Sequence, residues 1–264
     1  MSSSEETRKL NTTVGMTVES ELSLDQKASR STIAPWWHTA LIVILIAATS
    51  VLGSLRPAKT SMSGHHLANY GVTLAWEWVL AALTYWGIRL KKTPLRELLG
   101  ERRPGRKAFL LDVGAAAVFW IVSLMVLAVL AVLLRLLHLE SAQKQISQLA
   151  PASVPEAILW IALSLSAGMC EEFLFRGYLQ QQFARATGHI WVGVLVSAVL
   201  FGAAHGYEGI AGMLMITAYG ALFSILAIRR KSLRAGMIAH AWHDSITGLV
   251  LWFLKHARVP LGLF

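Results

Sequence analysis

The chain has 264 residues, of which 55% are hydrophobic and only 15% are charged, and its formal net charge is +9. Charged residues make up about 25% of a typical soluble domain, so this composition is typical of a protein that crosses a membrane several times. Because no stretch interleaves basic with aromatic residues, we expect no nucleic-acid partner. The single cysteine, Cys170, rules out an internal disulfide.

The N-terminal segment, residues 1–35, is polar, mixed in charge and without helical periodicity. This pattern predicts a disordered tail. No apolar core closely follows Met1, so we expect no cleavable signal peptide, and the first membrane span should act as an uncleaved insertion signal.

Seven later segments are apolar over most of the roughly 20 residues that a helix needs to cross a bilayer. They predict an all-α fold, a polytopic transmembrane bundle of about seven spans with room for an eighth. In chain order the spans are 36–55, 70–90, 109–137, 157–175 with an amphipathic extension to 184, 190–204, 210–228 and 235–254. We divide the chain into N-terminal spans over 36–153, a catalytic core over 154–254 and a C-terminal tail over 255–264.

The loops predict the orientation. Residues 89–107 contain eight Lys or Arg and residues 229–234 contain four. Seven alternating spans place both loops on one side, together with the N-terminal tail and the turn at Arg185. Excess Lys and Arg marks cytoplasmic loops, so we expect a cytoplasmic N-terminus.

Three charged residues follow an apolar run in "AGMCEEFLFRG". Each ionisable group at membrane depth costs at least ~2.5–3.5 kcal/mol, so such groups face the bundle interior and serve a purpose. Glu172 and Arg176 are four residues apart and can pair on one helix face, which favours a structural ion pair. Glu171 is displaced by about 100° around the helix and lacks a local cation. It is either a general base or a protonated, hydrogen-bonded acid.

Two later spans carry histidines. His205 ends the fifth span in "LFGAAHG", and counting from the shared turn places it ~26 Å along its helix, against ~21 Å for Glu171. Adjacent antiparallel helices would bring the two face to face. In "AHAWHDS", Asp244 lies one turn from His240 and can orient its imidazole, so we favour His240 over His243. Counted from Arg234, however, His240 lies only ~9 Å deep, which disagrees with the other two.

This set of side chains can activate a water and stabilise an oxyanion during peptide hydrolysis. Glu171, His205 and His240 could instead hold a divalent metal such as zinc with one open position. Neither an HExxH nor a GxSxG motif occurs. Cys170 is a weaker candidate nucleophile, because a thiol in apolar surroundings is usually inert.

Three motifs occur in order: "EEFLFR" (EExxxR), "FGAAH" (FxxxH) and "HAWHD" (HxxxD). Together they resemble the CPBP family of CAAX-type and bacteriocin-processing intramembrane endopeptidases, related to the type II CAAX prenyl endopeptidase. The resemblance covers residues 154–254, and the continuation "FRGYLQQQF" is similar to many bacterial members. It therefore implies a multi-pass protein of a bacterial inner membrane.

The resemblance also implies roles for the residues. Glu171 would activate the water beside His205, while His240 and Asp244 would bind the oxyanion or a metal, and Glu172 and Arg176 would support them. The third motif often ends in Asn, and an acidic Asp244 is a poorer hydrogen-bond donor and a better metal ligand. The mechanism is therefore either glutamate-type, without a cofactor, or metal-dependent.

The implied substrate is a membrane protein or a lipidated peptide in the lipid bilayer. Two interpretations from other classes stay open. A transporter or proton relay would use the same buried acids and histidines, but the paired broken helices typical of transporters are not visible. A catalytically idle scaffold would have little reason to carry Glu171, His205 and His240 together.

Overall fold

A computed structural model describes residues 32–55, 66–100, 105–139 and 149–257 of the chain. Within these ranges the fold is entirely helical, without strands, which confirms the predicted class. The helices are α1 (Trp36–Ser54), α2 (His66–Leu90), α3 (Leu95–Leu99), α4 (Arg106–Leu136), α5 (Val154–Glu171), a π-helix (Glu172–Leu179), α6 (Gln180–Thr187), α7 (Ile190–Ala204), a 3₁₀ turn (Gly206–Glu208), α8 (Gly209–Arg230) and α9 (Arg234–His256).

Each of the seven predicted spans lies within a helix, but they differ in their capacity to cross a membrane. Among the described residues, four helices are long and apolar enough: Trp36–Ser54, Arg106–Leu136, the continuous Val154–Thr187 and Gly206–Arg230. The helix α7 is apolar but has only 15 residues, about 22 Å, and is shorter than a hydrocarbon core of about 30 Å. The helices α2 and α9 contain several ionisable residues. Four of the predicted spans are therefore long and apolar enough by length and composition among the described residues.

The chain before α1 is more ordered than predicted at its C-terminal end. Residues 1–31 and 258–264 lie outside the described residues, but Ile33 and Ala34 are fully buried. Their backbone N–H groups donate to Oε1 of Gln182, at 2.9 and 3.1 Å, and Nε2 of Gln182 donates to the Ala34 carbonyl. These bonds fix the start of α1 against α6, so the predicted disorder does not extend to residue 35.

The basic loops meet at one end of the bundle, which we call the basic end and define by Arg185, Arg230 and Arg234. Arg185 pairs with Glu97 of α3 at 3.0 Å. Arg230 and Arg234 both pair with Asp112 of α4. A single antiparallel bridge joins Gly100 to Ser232, and the N–H of Leu233 donates to the Leu99 carbonyl. These contacts place the start of α9 beside α3 and α4.

Small residues let the helices of the core approach closely, as is common in membrane bundles. A Cβ on Gly168 of α5 would lie 2.7 Å from the carbonyl oxygen of Met237 in α9. A Cβ on Gly202 of α7 would lie 1.9 Å from Oγ1 of Thr217 in α8. The backbones of α5 and α9 thus touch one turn before Glu171.

Candidate active site

The two adjacent glutamates lie where the longest continuous helix changes its geometry. Glu171 is the last residue of α5, and Glu172 begins the eight-residue π-helix that extends to Leu179. Such wide turns are rare and occur frequently at functional sites, because they alter the angular spacing of side chains. Adjacent residues point in different directions around a helix, and the two carboxyl groups have different surroundings here. Glu172 is fully buried, whereas the side chain of Glu171 is 23% exposed.

Glu172 and Arg176 form the predicted ion pair. Nη1 of Arg176 donates to Oε1 of Glu172 at 2.9 Å, and both side chains have no exposed area. Nη2 of Arg176 donates to the carbonyl of Gly220 in α8 at 3.1 Å. The guanidinium also lies over the rings of Phe201, at 4.3 Å, and Phe223, at 5.0 Å. Ion pairing and cation–π contacts together compensate this buried charge.

His240 lies at the centre of the acidic groups. Its Nδ1 donates to Oε1 of Glu172 at 3.2 Å. Its Nε2 lies 3.6 Å from Oε2 of Glu171 and 3.5 Å from Oδ2 of Asp244. The ring stacks on Phe223 with a centroid distance of 5.1 Å. The sequence predicted that Asp244 orients this imidazole. In the structure the hydrogen bond that orients the ring is the one that Nδ1 donates to Glu172.

A glycine makes room for this arrangement. A Cβ on Gly236, one turn before His240 on α9, would lie 2.9 Å from Oε2 of Glu172. A larger residue there would displace the Glu172 carboxylate from His240.

His205 is held at the end of α7. The backbone N–H of His205 donates to the carbonyl of Gly202. The carbonyl of Phe201 is therefore free to accept from the His205 ring, whose Nδ1 lies 2.9 Å from that oxygen. A carbonyl only accepts, so Nδ1 carries the proton and Nε2 presents its lone pair in the neutral ring. Ser50 of α1 brackets this turn, donating to the Ala203 carbonyl and accepting from the N–H of Gly206.

The Phe201 ring connects the two histidines. It lies edge-on to His205, with centroids 5.1 Å apart, and edge-on to His240, at 6.0 Å. The residue is the first of the FxxxH motif and shares one helix face with His205. The structure thus brings Glu171, Glu172, Asp244 and His240 into direct contact, and places His205 across one aromatic ring from them.

The sequence-based depth of His240 was wrong. Counting from Arg234 assumed that all turns at the basic end lie at one level. In the structure the helix that contains Glu171 continues for 16 residues to Thr187. The Arg234 turn instead lies beside Gly177, ten residues before Thr187, since a Cβ on Gly177 would be 3.1 Å from Cδ1 of Leu233. This offset brings His240 level with Glu172. His243 is directed elsewhere, against the ring of Tyr219 at 4.8 Å.

The possible metal set does not fit this arrangement. Within the described ranges, no three His, Cys, Asp or Glu side chains are placed to hold one metal ion. Other groups hold Nδ1 of both histidines, Glu172 for His240 and a backbone carbonyl for His205, so Nε2 is the nitrogen of each ring that is left to act. We therefore derive the chemistry from the protein's own side chains.

Cys170 is buried, with Sγ 3.8 Å from Oγ of Ser166.

Sequence reasoning missed two groups of residues. The aromatic rings of Phe201 and Phe223 enclose Arg176 and His240, and no motif identified Phe223. Glu77 of α2 is buried, with 8% of its surface exposed, and it interacts electrostatically with Glu171, His240 and Asp244. The criterion that identified Glu171, an acid inside a predicted span, would also have found Glu77 in "AWEWV".

The segment that contains the site matches a known protein family. Residues 152–246 match the family model described as type II CAAX prenyl endopeptidase Rce1-like. No curated protein and no solved structure matches the chain significantly. The matched segment contains Glu171, Glu172, Arg176, His205 and Asp244, together with His240. This match supports assignment of the segment to the Rce1-like CAAX endopeptidase family and indicates a peptidase.

Proposed function

We propose that this protein hydrolyses a peptide bond of a membrane-associated substrate with Glu171 as the general base. The observation that carries the proposal is the convergence of three carboxyl groups on the buried imidazole of His240. Only Glu171 and Asp244 among these acids retain exposed side-chain area, at 23% and 31%. Among the described residues no Lys or Arg forms an ion pair with Glu171, so its carboxyl group can exchange a proton with a water molecule.

In the proposed reaction a water molecule binds between the carboxylate of Glu171 and Nε2 of His205. Glu171 takes a proton from this water as its oxygen attacks the scissile carbonyl carbon. The same carboxyl group then gives the proton to the leaving amide nitrogen as the C–N bond breaks. A well-placed acid–base group contributes about 10²–10⁴-fold to the rate.

His240 stabilises the oxyanion in this mechanism. The Glu172 carboxylate holds Nδ1–H, so the ring can direct an Nε2–H at the developing negative charge. Arg176 donates to Glu172 and holds its carboxylate in place. Asp244 lies beside Nε2 of His240 and stabilises the positive charge of the ring. An ionised aspartate can fill this role, whereas it could not donate a hydrogen bond to the oxyanion.

We propose that the substrate is a membrane protein or a lipidated peptide, and that the basic end faces the cytoplasm of a bacterial inner membrane. Support comes from the charge distribution, since Arg185, Arg230 and Arg234 lie at one end of the bundle. A lateral or cytoplasmic approach would bring the peptide to Glu171, the most accessible part of the Glu171–Glu172 pair.

The test is a cleavage assay with the purified protein in detergent and a panel of membrane peptides, including prenylated ones. Glu171→Gln should lower kcat about 10²- to 10⁴-fold, because the amide cannot accept the proton, while the unfolding temperature stays within a few degrees. The matched control is Glu97→Gln, which changes a surface acid at the basic end and should stay active. Full activity of Glu171→Gln would end the assignment.

A chelator arm distinguishes the two mechanisms that the sequence left open. We expect activity to persist after chelator treatment and dialysis. Loss of activity that zinc restores would select the metal-dependent mechanism and would overturn the role given to Glu171.

A further inference from the structure

The buried carboxyl group of Glu77 lies outside the segment that matches the family model. It belongs to α2, and 8% of its surface is exposed. Its Oε2 is fully enclosed and has no hydrogen-bond partner among the described residues. A buried acid at membrane depth costs several kcal/mol unless a neighbouring group compensates it. We therefore ask which groups lie close enough to compensate the Glu77 carboxyl group.

Two contacts establish the direction of α2 relative to α5. Near the start of both helices, Tyr70 packs edge-on against Trp160 with centroids 5.3 Å apart. Further along both, the His38 ring bridges the Leu83 carbonyl, at 2.9 Å, and the hydroxyl of Tyr178, at 2.8 Å. The start of α2 thus lies beside the start of α5, and the end of α2 lies beside the π-helix that continues α5. The two helices therefore run parallel.

This register places Glu77 within one helical turn of the level of Glu171. Glu77 lies seven residues after Tyr70, two turns along the same buried face of α2. On α5, Ala167 lies two turns after Trp160 and one turn before Glu171. Glu77 is therefore level with Ala167, next to Ser166. The surroundings agree with this position, because Ser166 lies within hydrogen-bonding reach of Glu77, and Glu171, His240 and Asp244 are close enough to act on its charge.

We propose that Glu77 is a positioning residue for Glu171: its carboxyl group hydrogen-bonds the Glu171 carboxylate, directly or through one water, and holds it towards the substrate. Two carboxyl groups in an apolar cavity share one proton, and the resulting bond is charge-assisted. Without it, Glu171 would be free to swing towards Nε2 of His240, 3.6 Å away. A base displaced by about 1 Å can lose about 10²-fold in rate.

Three variants test this proposal, which rests on the proposed function. Glu77→Leu removes the hydrogen bond and replaces a buried polar group with an apolar one that membrane burial favours, so folding should be retained. We expect kcat to fall about 10- to 100-fold with KM within about twofold. Glu77→Gln keeps a neutral donor of the same shape and should retain at least about a third of kcat.

Thr84→Val is the matched control. Thr84 lies seven residues further along the same buried face, is fully buried, and its hydroxyl has no side-chain or backbone partner among the described residues. The change should leave kcat and KM as in the wild type. Unfolding temperatures of all three variants are measured in the same detergent.

Three results would overturn the proposal: wild-type kcat in Glu77→Leu, a loss confined to KM, or equal inactivity of the Leu and Gln variants. The last result would mean that a negative charge, and not a hydrogen bond, is required. Glu171→Gln is measured alongside. If it is fully active, the proposed function fails; if it is inactive while Glu77→Leu is fully active, only the positioning role fails.

Discussion

Among the described residues, two clusters pair arginine with a buried acid, and they differ in what surrounds the pair. At the basic end, Asp112 pairs with Arg230 and Arg234, whose side chains remain 25% and 33% exposed. At the candidate active site, Glu172 and Arg176 have no exposed area at all. The chemistry of the pairs is the same, but only one cluster can be solvated.

The difference shows which cluster is built to anchor helices and which to hold a reactive group. Asp112 is bound by two cations whose other atoms reach water or lipid headgroups, so the cluster is satisfied by itself. At the site one oxygen of Glu172 accepts from both Arg176 and His240. Its other oxygen and Nε of Arg176 have no hydrogen-bond partner among the described residues. A buried pair left incomplete contributes little to stability and is consistent with a role in positioning His240.

The largest effect on stability should come from breaking the buried pair. Arg176→Met keeps an unbranched apolar stem but removes the guanidinium that lies over Phe201 and Phe223, and it leaves Glu172 without its cation. Removal of one partner from a buried pair costs about 3–5 kcal/mol. We expect a marked fall in the unfolding temperature in detergent. An unchanged unfolding temperature would show that Glu172 does not depend on this arginine.

The double variant Glu172→Gln with Arg176→Met separates structure from catalysis. Replacement of both charges removes the uncompensated group, so most of the stability lost in the single variant should return. The kcat should nevertheless stay about 10- to 100-fold low, because the neutral amide that replaces the Glu172 carboxylate no longer supports a positive His240. Recovery of both stability and kcat would make the pair purely structural, like the cluster at Asp112.

Much of the fold could be predicted from the sequence. The helix 190–204 was predicted with the bounds that the structure gives, and the other six agree within a few residues. Long apolar runs that end at Gly, Pro or charged residues have few alternatives to a helix. The pairing of Glu172 with Arg176 followed from their spacing alone, because residues four apart share a face.

The relative height of the helices could not be predicted. Sequence gives the distance along one helix, but the docking of the Arg234 turn on α3 depends on contacts between distant residues such as Leu99 and Leu233. The contact of His240 with Glu172 depends on this docking and on the π-helix, which no local pattern signals. Glu77 and Asp112 also lie within predicted spans, but neither belongs to one of the three motifs.

The smallest effect should come from the cluster at the basic end. Asp112→Asn leaves two arginines that are partly exposed and can be solvated, so the loss of stability should be about 1 kcal/mol. Raised salt should weaken the wild-type cluster and shrink the difference between the two proteins. Because α4 contacts α8 and α9 here without reaching Glu171, kcat should not change. A tenfold loss of kcat in Asp112→Asn, with Glu97→Gln unaffected, would mean that the position of α9 at this end controls His240, and that the two clusters act as one unit.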